Sequence, residues 1–230
     1  MLSTCSLQSL TISVDEQHRV SALFLLPSSA RACYVFAHGA GAGMTHPFME
    51  TIAAGLSEAG IATLRFQFPY MERGSRRPDT PALCHATVRA AVAEAAQIAP
   101  GLPLIAGGRS FGGRMSSQAQ ALSPLAGVIG LAFLGFPLHP AGRPSDERAQ
   151  HLLATRLPLL FLQGDRDELA QMSVLLPVIQ RLGERATLKL IQNADHSFRV
   201  PAKPKREGSP IIAQLVQTML DWTESTINAV

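Results

Sequence analysis

"GGRSFGGRMSS", residues 107–117, surrounds one serine, Ser110, with four glycines: Gly107, Gly108, Gly112 and Gly113. Glycine is costly in regular structure because it loses the most backbone freedom on folding. Four of them beside one hydroxyl mark a bend where the backbone has no room for side chains. The residues before it, "PLIAGG", read as a short buried strand, and those after it, "FGGRMSSQAQAL", read as a helix. Gly108, Arg109, Ser110, Phe111 and Gly112 then fit Gly-x-Ser-x-Gly, a sharp strand-to-helix turn that lifts a serine hydroxyl above a sheet. A chain of this length matches that pattern by chance about one time in ten, so the surrounding elements must carry the reading. A phosphate-binding loop would need a Lys-Ser or Lys-Thr pair, or Gly-x-Gly-x-x-Gly followed by an acidic residue, and neither is present.

Working outward, two alternating stretches open the chain, "LQSLTISV" and "RVSALFLL", and read as an antiparallel hairpin. Six short apolar runs follow: "CYVFA", "IATLRFQF", "PLIAGG", "GVIGLAFLG", "PLLFLQG" and "ATLKLIQ". They alternate with helix-like segments near 47–59, 80–98, 111–122, 145–154, 168–183 and 209–227. Continuous apolar strands separated by helices mean a parallel sheet covered on both faces. The expectation is an α/β fold in a single domain, residues 1–230. It has about eight strands, the last six parallel, an N-terminal antiparallel hairpin, and no large cap.

Composition agrees. The 230 residues are 47% hydrophobic and 16% charged, with a net charge of +3, which suits a packed core and not a disordered or coiled-coil chain. The one dense basic run, Lys203, Lys205 and Arg206, reads as a solvated loop, so no nucleic-acid partner is expected. Cys5, Cys33 and Cys84 lack disulfide or zinc spacing and read as reduced thiols. No HExxH or comparable ligand cluster appears, so no metal or cofactor is expected. With no leader-like N-terminus and no apolar run of membrane-spanning length, the expectation is a soluble, cytoplasmic protein without a membrane partner.

In such a sheet, chemistry collects in the loops after the strand C-termini. A serine hydroxyl is a poor nucleophile without a base, and His196, in "IQNADHSF" after the last strand, stands where one is needed. His18 falls in the hairpin turn, and His85 and His151 on helix-like stretches, as surface or packing residues. The imidazole needs a carboxylate to fix its tautomer. "LPLLFLQGDRDELA" offers Asp165 and Asp167, of which Asp167 reaches further toward His196. An oxyanion needs preorganised donors: the N–H of Phe111, and one from "FAHGAGAGMTHP", where Ala40 is preferred and Gly41 is the alternative.

The motifs "AHGAGAG", Gly-Gly-Arg-Ser-x-Gly-Gly-Arg, "RFQFPYM" and "LFLQGDRDELA" resemble those of small α/β-hydrolases near dienelactone hydrolase, over residues 19 to 227. The resemblance implies the hydrolase fold and a serine, aspartate and histidine triad on Ser110, Asp167 and His196. Dienelactone hydrolase itself has a cysteine where this chain has Ser110. The expected activity is cleavage of a small acyl substrate, an ester or thioester, through an acyl-enzyme. A non-catalytic interaction module keeping the fold, or a peptidase or C–C bond hydrolase using the same triad, are the alternatives. The span "FPLHPAGRPSDERAQHLLAT" is too short for a lid, which favours short acyl chains. "PYMERGSRRPDT", with Arg73, Arg76 and Arg77, reads first as an exposed loop; the alternative is a basic rim that, with Arg109, would attract anionic substrates.

Overall fold

The first two strands, β1 (Cys5–Ser13) and β2 (Arg19–Pro27), pair antiparallel from Cys5 opposite Pro27 to Ser13 opposite Arg19. Their turn is pinned by Asp15, whose Oδ1 accepts from the backbone N–H of Gln17 at 2.8 Å and of His18 at 2.7 Å. The computed structural model describes residues 5–200 and 210–229 of the chain. Six further strands follow: β3 (Ala32–Ala37), β4 (Ile61–Phe66), β5 (Leu104–Arg109), β6 (Val128–Leu134), β7 (Leu159–Gly164) and β8 (Ala186–Ile191). The sheet order is β1-β2-β4-β3-β5-β6-β7-β8, with β3 to β8 mutually parallel and β2 antiparallel to β4. The chain moves outward from β3 to β4, then returns to place β5 on the other side of β3. That reversal opens a crevice above the carboxyl ends of β3 and β5, the usual place for a ligand in an open α/β sheet.

Helices α1 (Pro47–Glu58), α2 (Pro69–Glu72), α3 (Pro81–Ile98), α4 (Phe111–Leu122), α5 (Met172–Leu182) and α6 (Pro210–Asn228) cover the sheet. Side chains alternate across it. Cys33, Val35 and Ala37 of β3 join one buried cluster with Val88, Ala91 and Met115 of α3 and α4. Tyr34 and Phe36 join the opposite cluster with Met49, Ile52, Leu215 and Met219 of α1 and α6. Each such fully buried large side chain contributes about 1.5–3 kcal/mol relative to exposure, so both faces hold the strands in register.

Two segments differ from the sequence expectation. Residues expected as a helix over 145–154 form a 3₁₀ stretch, Glu147–Ala154, burying Ala149 and Leu152. A spacing of three residues matches the 3₁₀ period, so one short apolar edge suffices to dock it. The expected helix over 168–183 starts only at Met172. Before it, Asp167 Oδ1 accepts from Leu169 N at 2.7 Å and Asp167 O from Ala170 N at 3.2 Å, so the carboxylate builds a turn that competes with helix. The basic run at 203–206 lies outside the described residues.

Candidate active site

The elbow is held by close backbone packing. A Cβ on Gly108 would lie 2.3 Å from Ala37 O, and one on Gly112 would lie 2.5 Å from the same carbonyl. Both glycines are therefore obligatory where the end of β5 and the start of α4 press on β3. Between them Ser110 takes φ 48° and ψ −114°, a conformation that costs a non-glycine residue about 1–3 kcal/mol. Its N–H still donates to Leu134 O at 3.1 Å and its carbonyl accepts from Arg114 N at 3.2 Å. The strain is thus fixed by sheet and helix together, and the hydroxyl stands at the N-terminus of α4.

Ser110 Oγ lies 2.8 Å from His196 Nε2, and His196 Nδ1 lies 2.7 Å from Asp167 Oδ2. Asp167 has a fully buried side chain, whereas that of His196 is 23% exposed. With the carboxylate accepting, the network assigns the proton to Nδ1 and leaves Nε2 free to receive the serine proton. Ser110, His196 and Asp167, named from the sequence, form one hydrogen-bonded chain. Asp165 does not join it: its Oδ1 is buried without a partner, and its backbone N–H donates to Ile191 O at 3.2 Å.

His196 sits in a tight turn after β8. Asp195 Oδ1 accepts from Ser197 N at 2.8 Å and Arg199 N at 2.9 Å, and Phe198 takes φ 58°. Phe198 stacks on Phe48 of α1, with centroids 5.8 Å apart and planes at 4°. The Arg109 guanidinium lies 4.6 Å from the Phe48 ring centroid and donates to Ser197 Oγ at 3.3 Å. The histidine loop is therefore clamped to α1 and to the end of the nucleophile strand.

Two supporting residues escaped the sequence reading. Gln163, buried at the end of β7, donates to Asp167 Oδ2 and accepts from Phe136 N at 2.9 Å. Asp167 thus receives donors on both oxygens. The signal was a lone amide in the apolar run "PLLFLQG". His38, fully buried after β3, donates from Nδ1 to Gly39 O at 2.8 Å and accepts from Phe68 N at 3.1 Å. Burial pushes its pKa down to about 4, so the neutral imidazole ties the glycine loop to the loop after β4.

That glycine loop leaves Ala40 exposed beside the elbow. Neither the Ala40 N–H nor the Phe111 N–H has an acceptor among the described residues. Of the basic rim, Arg73 pairs with Asp79 and Arg109 is engaged by Phe48 and Ser197, while Arg76 and Arg77 are exposed. No group of three or more His, Cys, Asp or Glu among the described residues is arranged to hold a metal ion. No helix among them is long and apolar enough to cross a membrane.

A strained serine at a helix N-terminus, bonded to an imidazole that a buried carboxylate orients, has the geometry of a hydrolytic centre. The model of the alpha/beta hydrolase domain family matches residues 30–224. The chain belongs to that family and is a hydrolase by that membership.

Solved structures agree in fold. A dienelactone hydrolase from Anabaena variabilis superposes with a TM-score of 0.78 at 20% identity, covering 96% of this chain and 98% of that one. The esterase domain of a Rhodothermus marinus protein gives 0.72 at 18%, covering 94% and 97%. An α/β serine hydrolase without lid from Xanthomonas campestris gives 0.68 at 18%, covering 97% and 94%. At these identities the likeness is one of architecture.

Proposed function

We propose that the protein is a serine hydrolase that cleaves small esters or thioesters through an acyl-enzyme on Ser110. The observation that carries this reading is the 2.8 Å contact of His196 Nε2 with a serine hydroxyl held at positive φ. His196 takes the Ser110 proton as Oγ attacks the acyl carbonyl. The resulting oxyanion accepts from the Phe111 and Ala40 N–H groups, and the N-terminal dipole of α4 favours the same charge. Collapse breaks the bond to the leaving group, which departs as alcohol or thiol with the proton from His196. Water, deprotonated by the same imidazole, attacks the acyl-enzyme and releases the acid and free Ser110. Asp167 holds His196 in the tautomer both half-reactions need.

Between β6 and β7 the chain carries only loop and the 3₁₀ stretch, so no large insertion there covers the site among the described residues. An open site buries little of a long acyl chain, and each CH₂ it does bury contributes about 0.8 kcal/mol. We therefore expect kcat/KM on acetyl to butyryl p-nitrophenyl esters to exceed that on octanoyl and longer ones. A panel of esters, thioesters and lactones on purified protein, with Ser110→Ala as control, tests the reading. No hydrolysis of any member by folded wild type would contradict it. A rise in kcat/KM beyond eight carbons would instead reveal a long apolar groove.

A further inference from the structure

Arginines that lose water in this fold find something to bind. Arg65 donates to Met44 O at 3.1 Å, Arg89 to Ser123 O at 2.9 Å, Arg109 to Ser197 Oγ at 3.3 Å, and Arg185 to Thr155 O. Arg114 is half-buried yet its side chain has no acceptor among the described residues, and its Nε is wholly buried and unpartnered. No carboxylate approaches it within ion-pair distance among those residues. Arg148 is also half-buried and without a described acceptor, on the 3₁₀ stretch that docks on α4 through the contact of His151 Nε2 with Ser117 Oγ at 2.8 Å. Burial first and this like charge second depress the Arg114 pKa. Two like charges that act on each other in reduced dielectric are unfavourable unless an anion compensates them.

Position says where that anion comes from. Arg114 is four residues after Ser110 on α4, and its backbone N–H donates to Ser110 O at 3.2 Å. Helical side chains lean toward the helix N-terminus, over the preceding turn. Its guanidinium accordingly lies 5.7 Å from the ring centroid of Phe111, the residue whose N–H the proposed function aims at the oxyanion. The other groups acting near it, Cys84, His85 and His151, bring no negative charge: burial raises the thiol pKa to about 12 and lowers both imidazoles. Arg109, by contrast, is tied to Ser197 of the histidine loop and to Phe48. Arg114 stands beside Phe111, the residue that follows the nucleophile.

We propose that Arg114 and Arg148 form a subsite for a carboxylate on the acyl chain, making the preferred substrate a half-ester or half-thioester of a short dicarboxylic acid. This rests on the serine-hydrolase reading and adds a substrate class to it. A guanidinium–carboxylate pair is charge-assisted and can be bidentate.

The test compares p-nitrophenyl hemisuccinate with p-nitrophenyl butyrate, equal in acyl length. Wild type is expected to favour the succinyl ester in kcat/KM by about tenfold or more, the range of a hydrogen bond to a charged group. That ratio is expected to fall at least fivefold in Arg114→Gln and in Arg148→Gln, and to recover in part in Arg114→Lys. Should Arg114→Gln fail to fold, wild type alone decides through salt: from about 0.05 to 0.5 M the succinyl preference shrinks as screening rises.

Hydrolysis of both esters at a ratio near one would overturn the subsite and leave the hydrolase reading standing. Failure to hydrolyse either would remove that reading first. A second arm compares 4-acetoxybenzoate with phenyl acetate. A preference for the anion there, and not on the acyl side, would also overturn the assignment.

Discussion

Among the described residues two serine–histidine pairs have the same contact distance, and they differ in what surrounds them. Ser110 Oγ meets His196 Nε2 at 2.8 Å, and Ser117 Oγ meets His151 Nε2 at 2.8 Å. Distance therefore decides nothing. Ser110 is half-exposed and strained, whereas Ser117 is fully buried inside α4. His196 has Asp167 on its second nitrogen, while no hydrogen bond or ion pair joins His151 to a carboxylate among the described residues. Burial, Arg114 and His85 hold the His151 pKa down to about 4, so it has no partner to stabilise an imidazolium. Ser117 Oγ also lies 3.0 Å from Arg114 O, as a hydroxyl does when it serves a helix. A nucleophile needs access, a base and an orienting acid together; the second pair has only a base-like contact and docks α4 on the 3₁₀ stretch.

The largest expected effect separates the serines. Ser110→Ala should lower kcat by about 10⁴–10⁶, as loss of a triad nucleophile does, while Ser117→Ala should leave kcat within about threefold. Kinetics on any ester turned over by wild type reads both, and a severe loss in Ser117→Ala alone would invert the assignment. Asp167→Asn comes next, lowering kcat about 10⁴-fold by fixing the wrong tautomer. Asp165→Asn should change kcat far less, and the opposite ranking would move the acid to Asp165.

The second pair should show itself in stability instead. Ser117→Ala leaves His151 without its partner and should cost about 1–3 kcal/mol, measured by urea unfolding. The smallest effect is in pH. His38 and His151 have folded pKa values of about 4 against an ordinary 6.5. Below 6.5 the unfolded chain takes up protons that the native state refuses. Their contribution is therefore complete above pH 6.5 and is lost as pH falls toward 4. His151→Gln should flatten that decline in Tm between pH 6.5 and 4, and an unchanged slope would show that His151 does not contribute.

The contrast also explains what the sequence could say. The elbow was legible because glycines cannot be replaced where Ala37 O presses on Gly108 and Gly112. Asp167 and His196 were legible because each follows an apolar strand in a polar loop. Helix starts were less so: Asp167 could have capped a helix, and instead its carboxylate builds a turn that delays α5 to Met172. Gln163 and His38 act through contacts with Phe136, Asp167 and Phe68 that no local pattern encodes. The basic rim was read from composition near the elbow. Which arginine is engaged and which is free depends on Phe48, Ser197 and Asp79, which only folding brings near.

The most direct test is covalent. Arg109 and Arg114 let trypsin separate the two serines, since Ser110–Arg114 is released as its own peptide and Ser117 leaves on the next one. A fluorophosphonate probe on native protein, followed by peptide mass spectrometry, should place the adduct on the Ser110–Arg114 peptide. Labelling should vanish in Ser110→Ala and fall sharply in His196→Ala. An adduct on the peptide carrying Ser117, or none on folded wild type, would contradict the claim that only the strained, acid-supported serine is activated.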